Sequence, residues 1–263
     1  MATFLIFLVC LVASTLGGLC GIGGGIIIKP LLDAAGLIKV DAVSFLSGLT
    51  VLSMSVVAVV PKQLSGAAPS RLRPELAVGA ALGGVAGQRA LVALRSAVGH
   101  DTLTGMVQAI LLLIMTLLTF FYLRAGEKRE KARVENRALS LVIGAGMGAF
   151  SAFLGIGGGP INLAVLFFFF SMETREAAYN SLNIILLSQL ASLAVTLIRR
   201  DIPDFPTLYL PVMVAAGLLG GILVSRISCR MDSQKTAGLF RWMLLIVAGI
   251  CLYNAVRFGV ALG

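Results

Sequence analysis

Long apolar runs separated by short polar breaks dominate the chain. The clearest runs cover residues 103–123, 138–153, 177–198, 208–227 and 240–256. None of them alternates apolar and polar residues, as a half-buried strand does. About 20 residues cross the hydrocarbon layer as a helix, and only helices or closed barrels satisfy their backbone there. The pattern therefore predicts an all-α polytopic membrane protein in contact with the lipid bilayer.

Composition agrees with this prediction. The chain is 58% apolar and only 13% charged, whereas about a quarter of the residues in soluble domains are charged. The net charge of +9 comes from Lys and Arg in loops between apolar runs, where such residues set topology. We therefore expect no nucleic-acid partner. Four cysteines without a CxxC pair and a single histidine predict neither a metal site nor a cofactor.

The longest polar break, residues 124–137, divides the chain into two related membrane repeats. It separates an N-terminal repeat at 1–123 from a C-terminal repeat at 138–263. The sequence Gly-Ile-Gly-Gly-Gly at 21–25 recurs at 155–159, and the gap-free alignment that places position 21 on position 155 is called the repeat register below. Each half thus reads as a glycine-broken element followed by three helices. The predicted elements cover residues 3–35, 43–60, 75–94 and 102–123, then 138–171, 176–198, 207–228 and 236–258.

Loop charge discriminates between two topologies. If each broken element crosses the membrane once, there are eight spans in parallel halves, and the basic residues divide 12 against 9. If each element enters and returns, the halves are inverted, and the division is 14 against 7. Because basic residues concentrate in cytoplasmic loops, the charge favours inverted repeats with re-entrant helices. The 124–137 linker is then cytoplasmic.

The glycine clusters are candidate substrate sites. Three glycines cost roughly 1 kcal/mol each inside a helix, so the helix should break there and restart at 26–32 and 160–170. Helix N-termini attract anions, and secondary transporters place such broken helices at the membrane midplane. The predicted ligands are Gly23, Gly24, Gly25, Gly157, Gly158 and Gly159. Close packing is the alternative, and it is favoured for the pairs Gly83/Gly87 and Gly217/Gly221.

Polar residues within the apolar runs extend this candidate site. Such residues are costly in a membrane and often functional. The candidates for substrate binding are Ser47, Asn162, Asn180, Ser181, Asn183 and Lys29. For the two asparagines of the 176–198 helix, hydrogen bonding between helices is an equal alternative. Lys29 either binds the substrate as a cation or extends to the surface.

Two Gly-Ile-Gly-Gly-Gly elements opening two four-element halves resemble the TauE/SafE family, also called sulfite exporter or TSUP. The resemblance covers nearly the whole chain. It implies transport of sulfite, sulfoacetate or another small anion across the inner membrane. Many members follow the first cluster with Gly-Thr-Ser, where this chain has Ser44-Phe-Leu-Ser47-Gly48. The resemblance therefore implies an anion substrate without naming it.

The sequence also predicts a mechanism. Acidic residues, Asp33 among them, lie near the ends of the apolar runs, so we expect no buried proton relay. Moving one negative charge out of a negative cell interior releases about 2.3 kcal/mol per 100 mV of membrane potential. The prediction is therefore an alternating-access exporter driven by the anion gradient and the membrane potential. An anion channel and a carboxylate carrier are alternatives. A homodimer is possible, and the sequence does not decide the oligomeric state. Without GxSxG or HExxH motifs, enzymatic activity is not expected.

Overall fold

The computed structural model describes residues 2–36, 38–66, 74–99, 101–124, 134–156, 158–228 and 231–261. Within these ranges every regular element is an α-helix, which confirms the all-α prediction. The ten helices are α1 (Ala2–Cys20), α2 (Gly25–Ala35), α3 (Val40–Leu64), α4 (Pro74–Val98), α5 (Asp101–Arg124), α6 (Arg137–Leu154), α7 (Pro160–Phe170), α8 (Thr174–Arg199), α9 (Tyr209–Ser228) and α10 (Ser233–Val260).

Eight of these helices are long and apolar enough to cross a membrane, by length and composition. The two exceptions are α2 and α7, with 11 residues each. At 1.5 Å per residue they extend about 16 Å, roughly half the hydrocarbon thickness. The chain is thus a multi-pass membrane protein that contains two half-length helices.

Each predicted broken element consists of a long helix followed by one of these short helices. The breaks follow Cys20 and Leu154, and the short helices begin at Gly25 and Pro160, so the predicted break positions are confirmed. Pro160 occupies the first turn of α7, where its missing N–H group leaves no helical hydrogen bond unmade. The break after α6 includes Gly157, which lies outside the described residues.

Helix α3 extends beyond the approximate end predicted at residue 60, to Leu64, with Pro61 inside its last turn. A proline removes one helical hydrogen bond, and near a helix end only the Val57 carbonyl loses its partner. Helix α4 likewise extends beyond its predicted end at residue 94, to Val98.

Helix positions follow the repeat register. Val40 begins α3 and Thr174 begins α8, and the register places these two residues on each other. In the other four pairs, α1/α6, α2/α7, α4/α9 and α5/α10, the starting residues agree with the register to within one helical turn. Each half therefore contributes five helices in the same order.

Residue contacts give the relative directions of the helices. Along α4 and α6, Gly79 lies against Leu141, Gly83 against Ala145 and Gly87 against Ala149. These numbers rise together, so α4 and α6 run parallel. A methyl group on any of the three glycines would collide with the α6 backbone, which confirms the close-packing interpretation of Gly83 and Gly87.

Helix α9 also runs parallel to two of its neighbours, α3 and α1. On α9, Gly217 lies against Thr50 of α3 and Gly221 against Met54, so α9 and α3 run parallel. Close packing is thereby confirmed for this second glycine pair. Helix α1 is parallel to α9 as well, because Ser14 lies beside Gly220 and Gly18, one turn later in α1, lies beside Val224, one turn later in α9.

Two further helix pairs divide the helices into two groups that run in opposite directions. Helix α4 is parallel to α8, since Gly84 lies against Ser188 and Gln88, one turn later, meets Ser192. Helices α3 and α8 are antiparallel, because Gly48 meets Gln189 while Val59, later in α3, meets Tyr179, earlier in α8. Thus α1, α3 and α9 run in one direction, and α4, α6 and α8 in the other.

Candidate substrate site at the two glycine breaks

The two glycine breaks contact each other in the protein interior. A methyl group on Gly25 would collide with the carbonyl oxygen of Ile156, and one on Gly158 with the side chain of Ile185 and the carbonyl of Ile22. Residues 21–25 are fully buried, as are 156, 158 and 159. The structure therefore brings together two clusters that lie in different halves of the sequence.

The first break is held by the end of α1. The N–H groups of Ile22 and Gly23 both donate to the carbonyl of Gly17, at 3.0 and 3.2 Å. Gly21 and Gly23 have φ of 76°, in the left-handed region that glycine adopts without strain. Helix α2 then begins at Gly25, and its first N–H groups lack intrahelical acceptors. Their partial positive charge is directed into the protein interior.

The second break leaves space at Gly159. Gly155 ends α6 with φ of 64°, and Gly159 precedes α7 in an extended conformation. A methyl group on Gly159 would meet only the Cδ1 atom of Ile156, at 3.6 Å, which is ordinary contact. Gly159 therefore borders space that a side chain could enter, unlike Gly25.

Close packing accounts for much of the first cluster. A methyl group would collide with Ala178 at Gly21 and with the backbone of Ser14 at Gly24. The packing alternative that was favoured only for other glycines thus applies here too. It does not account for Gly159, which keeps its role as a candidate ligand.

Serine hydroxyls line the breaks from α3 and α8. Ser47 donates to the carbonyl of Gly155 at 2.9 Å. On α8, Ala178 contacts Gly21 and Ile185 contacts Gly158, and Ser181 lies between them on the same helical face. Its hydroxyl is buried and has no hydrogen-bond partner among the described residues. Ser181 is thus an available hydrogen-bonding group beside the breaks.

Two more buried polar groups have no partner in the described part of the chain. Asn162, in the first turn of α7, is fully buried, and neither its amide nitrogen nor its amide oxygen is hydrogen-bonded. The hydroxyl of Ser14, whose backbone touches Gly24, is also unpartnered. Sequence reasoning missed Ser14, although a lone Ser-Thr pair in an apolar run was a usable signal. Unsatisfied buried groups are rare and call for an explanation.

The two other asparagines differ in position. Asn180 is buried, and its amide donates to the carbonyl of Glu176 at 3.0 Å within its own helix. Asn183 accepts from Gln63 of α3 at 3.2 Å at an exposed edge. It is the second residue after Ser181, which places it on the other side of α8. The structure does not bring Asn183 to the breaks.

Lys29 does not extend to the surface. It is only 3% exposed, so that alternative is wrong. Its ammonium donates to Ser44 Oγ and to Gln108 Oε1, both at 2.6 Å, and lies 4.0 Å from Asp33 Oδ2. Asp33 is itself 7% exposed. Asp33 thus lies near the end of α2, as predicted, and is nevertheless buried.

Two cavities reach the breaks from opposite ends of the bundle. One, the Lys62 cavity, has a volume of about 670 Å³ and is lined by residues that include Gly18, Lys62, Arg175 and Tyr179. The other, the Gln88 pocket, has a volume of about 60 Å³. Its lining includes Ser44, Gln88, Arg95, Gly155, Gln189 and Thr196.

The two cavities are built from equivalent residues. The repeat register relates Phe45 to Tyr179, Thr196 to Lys62, Ala152 to Gly18, Ser44 to Ala178 and Leu91 to Ser225, one residue of each pair lining each cavity. Each cavity ends beside a different glycine break, at Gly18 in one case and at Gly155 in the other. The arrangement places two touching breaks between two related cavities.

The comparisons with known proteins agree with this architecture. The family model described as Sulfite exporter TauE/SafE matches residues 6–251, which confirms the resemblance expected from the glycine clusters. No curated protein matches the chain. The matched region contains both glycine breaks and all or most of each of the eight apolar helices. The chain belongs to the sulfite exporter TauE/SafE family.

Proposed function

We propose that this protein is a secondary transporter that exports a small sulfur-containing anion, such as sulfite or an organosulfonate, across the inner membrane. Family membership supports transport of a sulfur anion through a membrane. The choice of substrate, the direction and the mechanism are parts of the proposal. Its central observation is the pair of touching glycine breaks between two equivalent cavities.

We infer that the two halves are inverted repeats with re-entrant elements. Helices α1 and α3 both run parallel to α9, so the chain has to return between Cys20 and Val40, and α2 is the segment available for the return. Equivalent helices α3 and α8 are antiparallel, as a two-fold axis in the membrane plane requires. The 14-to-7 division of basic residues assigns the cytoplasm to the side of Arg124 and Arg137.

A carrier fits the cavities better than a channel. A channel needs one continuous path, whereas here the buried breaks separate the Lys62 cavity from the Gln88 pocket. The volumes of about 670 and 60 Å³ are what one open and one closed side of an alternating-access carrier would have. The Lys62 cavity lies at the cytoplasmic side in the proposed topology, so this is an inward-open conformation.

Hydrogen bonds close the opposite side. Gln88 of α4 donates to Thr196 Oγ1 at 3.3 Å and accepts from Ser192 Oγ at 3.1 Å, both on α8. The repeat register places these three residues on Ile222, Lys62 and Ala58, which do not repeat this bridge, and the last two line the Lys62 cavity. The bridge therefore joins α4 and α8 beside the Gln88 pocket through side chains that the Lys62 cavity does not have.

The substrate site combines helix termini with neutral donors. The first turns of α2 and α7 offer backbone N–H groups and partial positive charge. Ser181 and Asn162 add unpartnered side chains, and Gly159 borders free space. Because these donors carry no full charge, they can hold a small oxyanion and release it again.

Counterflow in proteoliposomes tests the proposal. Vesicles loaded with unlabelled sulfite or sulfoacetate should take up the labelled anion transiently and in a saturable manner, because a carrier exchanges ligand without net flux. Taurine and simple carboxylates, offered as competitors, define the substrate class. Flux that neither saturates nor shows counterflow would indicate a channel and overturn the carrier proposal.

Thermal unfolding gives a second test without transport. A ligand that binds the folded state raises its stability by RT ln(1 + [L]/Kd), so the transported anion should raise the Tm. Gly24→Leu fills the position against Ser14 and should abolish the effect, while Asn180→Ala reports on a candidate ligand. If no sulfur anion stabilises the wild type, the proposed substrate class is wrong.

A further inference from the structure

A buried polar cluster lies between α2, α3 and α5 of the N-terminal repeat and α10 of the C-terminal repeat. We call it the Lys29 cluster: Lys29, Asp33, Ser44, Gln108, Asn254 and Arg257. The positions that the repeat register places on them hold Leu163, Phe167, Ala178, Trp242, Phe120 and Leu123. The equivalent place, between α7, α8 and α10 of the other repeat and α5, is thus built without any of these polar groups.

Stability does not explain the cluster. Replacing a buried ion pair with apolar residues is often neutral or stabilising, because both charges lose their hydration. The equivalent place makes that replacement. A buried ionisable pair within a membrane protein is by default a functional site, and this one needs a function that only one of the two places provides.

The charges of Lys29 and Asp33 are compensated unequally by the groups around them. All three N–H bonds of the Lys29 ammonium have an acceptor nearby, two of them at 2.6 Å. Asp33 has only Lys29 at 4.0 Å on Oδ2, and its Oδ1 atom has no donor among the described residues. The carboxylate is therefore compensated by Lys29 at 4.0 Å and, through space, by the Arg257 guanidinium, without a donor on Oδ1 among the described residues. If the ammonium moves away, a proton is the ligand that removes the uncompensated charge.

The surroundings favour a proton over a metal cation. The small cavity beside Lys29, Asp33 and Asn254 has a volume of about 10 Å³, the lower limit for one water molecule. The ammonium already occupies the place of a cation. Arg257 of α10 donates to the carbonyls of Asp33 and Ala34, which adds positive charge against a second bound ion.

Other charged and titratable groups face the pair from neighbouring helices. Asp41 of α3 and Arg95 of α4 act on Lys29 through space and line the Gln88 pocket. Cys251 of α10 lines the small cavity. Ser44 joins the two regions, because it accepts from Lys29, lines the Gln88 pocket and lies against Gly155. The pair is thus one side chain away from the pocket, through a hydroxyl group that itself donates to the Val40 carbonyl.

We propose that the Lys29–Asp33 pair binds the proton that this carrier moves together with its anion. The inference rests on the proposed function, since Lys29 is one helical turn from the Gly25 break. An anion that enters from the Lys62 cavity attracts the ammonium, and Asp33 then takes a proton from water on that side to become a neutral carboxylic acid. When the anion leaves on the side of the Gln88 pocket, Lys29 returns and the proton passes to water there. No other bond is made or broken.

The binding site can be tested directly by infrared spectroscopy. Difference spectra of the reconstituted protein, taken between about pH 5 and pH 9 to cover the range of perturbed carboxyl groups, should contain a protonated carboxyl band. The band should shift on addition of sulfite and be lost in Asp33→Asn. Asp204→Asn, which changes an exposed carboxyl, should keep it. A wild-type spectrum with no band assignable to Asp33 overturns the proposal, whether or not the protein transports anions.

Coupling is tested in proteoliposomes. Anion-driven proton movement should fall at least about tenfold in Asp33→Asn, while counterflow, which needs no net proton transfer, should stay within about twofold. Lys29→Met/Asp33→Leu removes both charges, as Leu163 and Phe167 do at the equivalent positions, and should lose coupling as well, which guards against an effect of the unpaired Lys29 charge in the single variant. Loss of coupling with retained counterflow in Asp33→Asn supports the proposal. Unchanged proton movement, or uphill transport driven by sodium in place of pH, overturns it. Absence of counterflow in the wild type refutes the proposed function, and the infrared band still decides the proton site.

Discussion

Gly25 lies against the carbonyl oxygen of Ile156 so closely that no side-chain carbon fits between them. Each residue belongs to the glycine break of a different half. The contact therefore joins the two repeats at the point where each helix is interrupted. It also means that movement of one break is transmitted to the other through backbone contact, without a flexible side chain between them.

A methyl group at this contact should destabilise the protein. Overpacking a filled interior costs about 1–3 kcal/mol, so we expect Gly25→Ala to lower the Tm in detergent. Gly159→Ala is the matched variant, because a methyl group there meets only Ile156 Cδ1 at 3.6 Å. It should unfold close to the wild-type temperature. Equal losses in the two variants would show that the contact is not specific.

The sequence predicted the helix breaks because glycine runs have a backbone cost that is local and additive. It also predicted the half-length helix after Pro160, since proline has a fixed place at helix starts. It could not predict that Gly25 and Ile156 touch. Contacts between halves depend on the three-dimensional arrangement of helices, to which a repeat register gives no direction or distance.

The hydrogen-bond partners of individual side chains could not be predicted from the sequence either. Lys29 has the pattern of a surface-seeking lysine, and only the positions of Ser44 and Gln108 reveal that it is buried and hydrogen-bonded. Asn183 shares a motif with Ser181, yet the helical twist turns it away from the breaks. The residue types in this site were therefore predictable, whereas their selection from several similar polar residues was not.

Asn162 should bind the anion without stabilising the empty protein. Its amide is buried without a partner in the described residues, so Asn162→Ala removes an unsatisfied group and should leave the Tm nearly unchanged. A hydrogen bond to a charged group contributes about 1.5–3 kcal/mol, so the variant should weaken sulfite binding about tenfold or more. Isothermal titration calorimetry measures this.

Ser188→Ala is the control for Asn162. Its hydroxyl already donates to the Ile185 carbonyl in the same helix, so sulfite affinity should not change. Should Asn162→Ala bind sulfite as tightly as the wild type, its amide is not a ligand.

Cysteine labelling should place the two polar loops on opposite sides of the membrane. Glu135 and Asp204 are both exposed, and in inverted halves they face opposite compartments. Eight full spans in parallel halves put them on one side. In a background without the four native cysteines, an impermeant maleimide added to oriented vesicles should modify only one of Glu135→Cys and Asp204→Cys. Modification of both from one side would rule out the inverted arrangement.

Removing the Gln88 bridge should open the pocket that it closes. Gln88→Ile copies the residue at the equivalent position, Ile222, and deletes two hydrogen bonds to α8. At about 0.6 kcal/mol for each bond in a membrane protein, the loss is near 1 kcal/mol, or roughly fivefold in a two-state population. A cysteine at Leu193, which lines the Gln88 pocket, should then react several times faster. A cysteine at Ala58 in the Lys62 cavity should react more slowly, because a carrier opens one side only as it closes the other. If both cysteines react faster, the variant has merely loosened the bundle, and the bridge does not hold the conformational equilibrium.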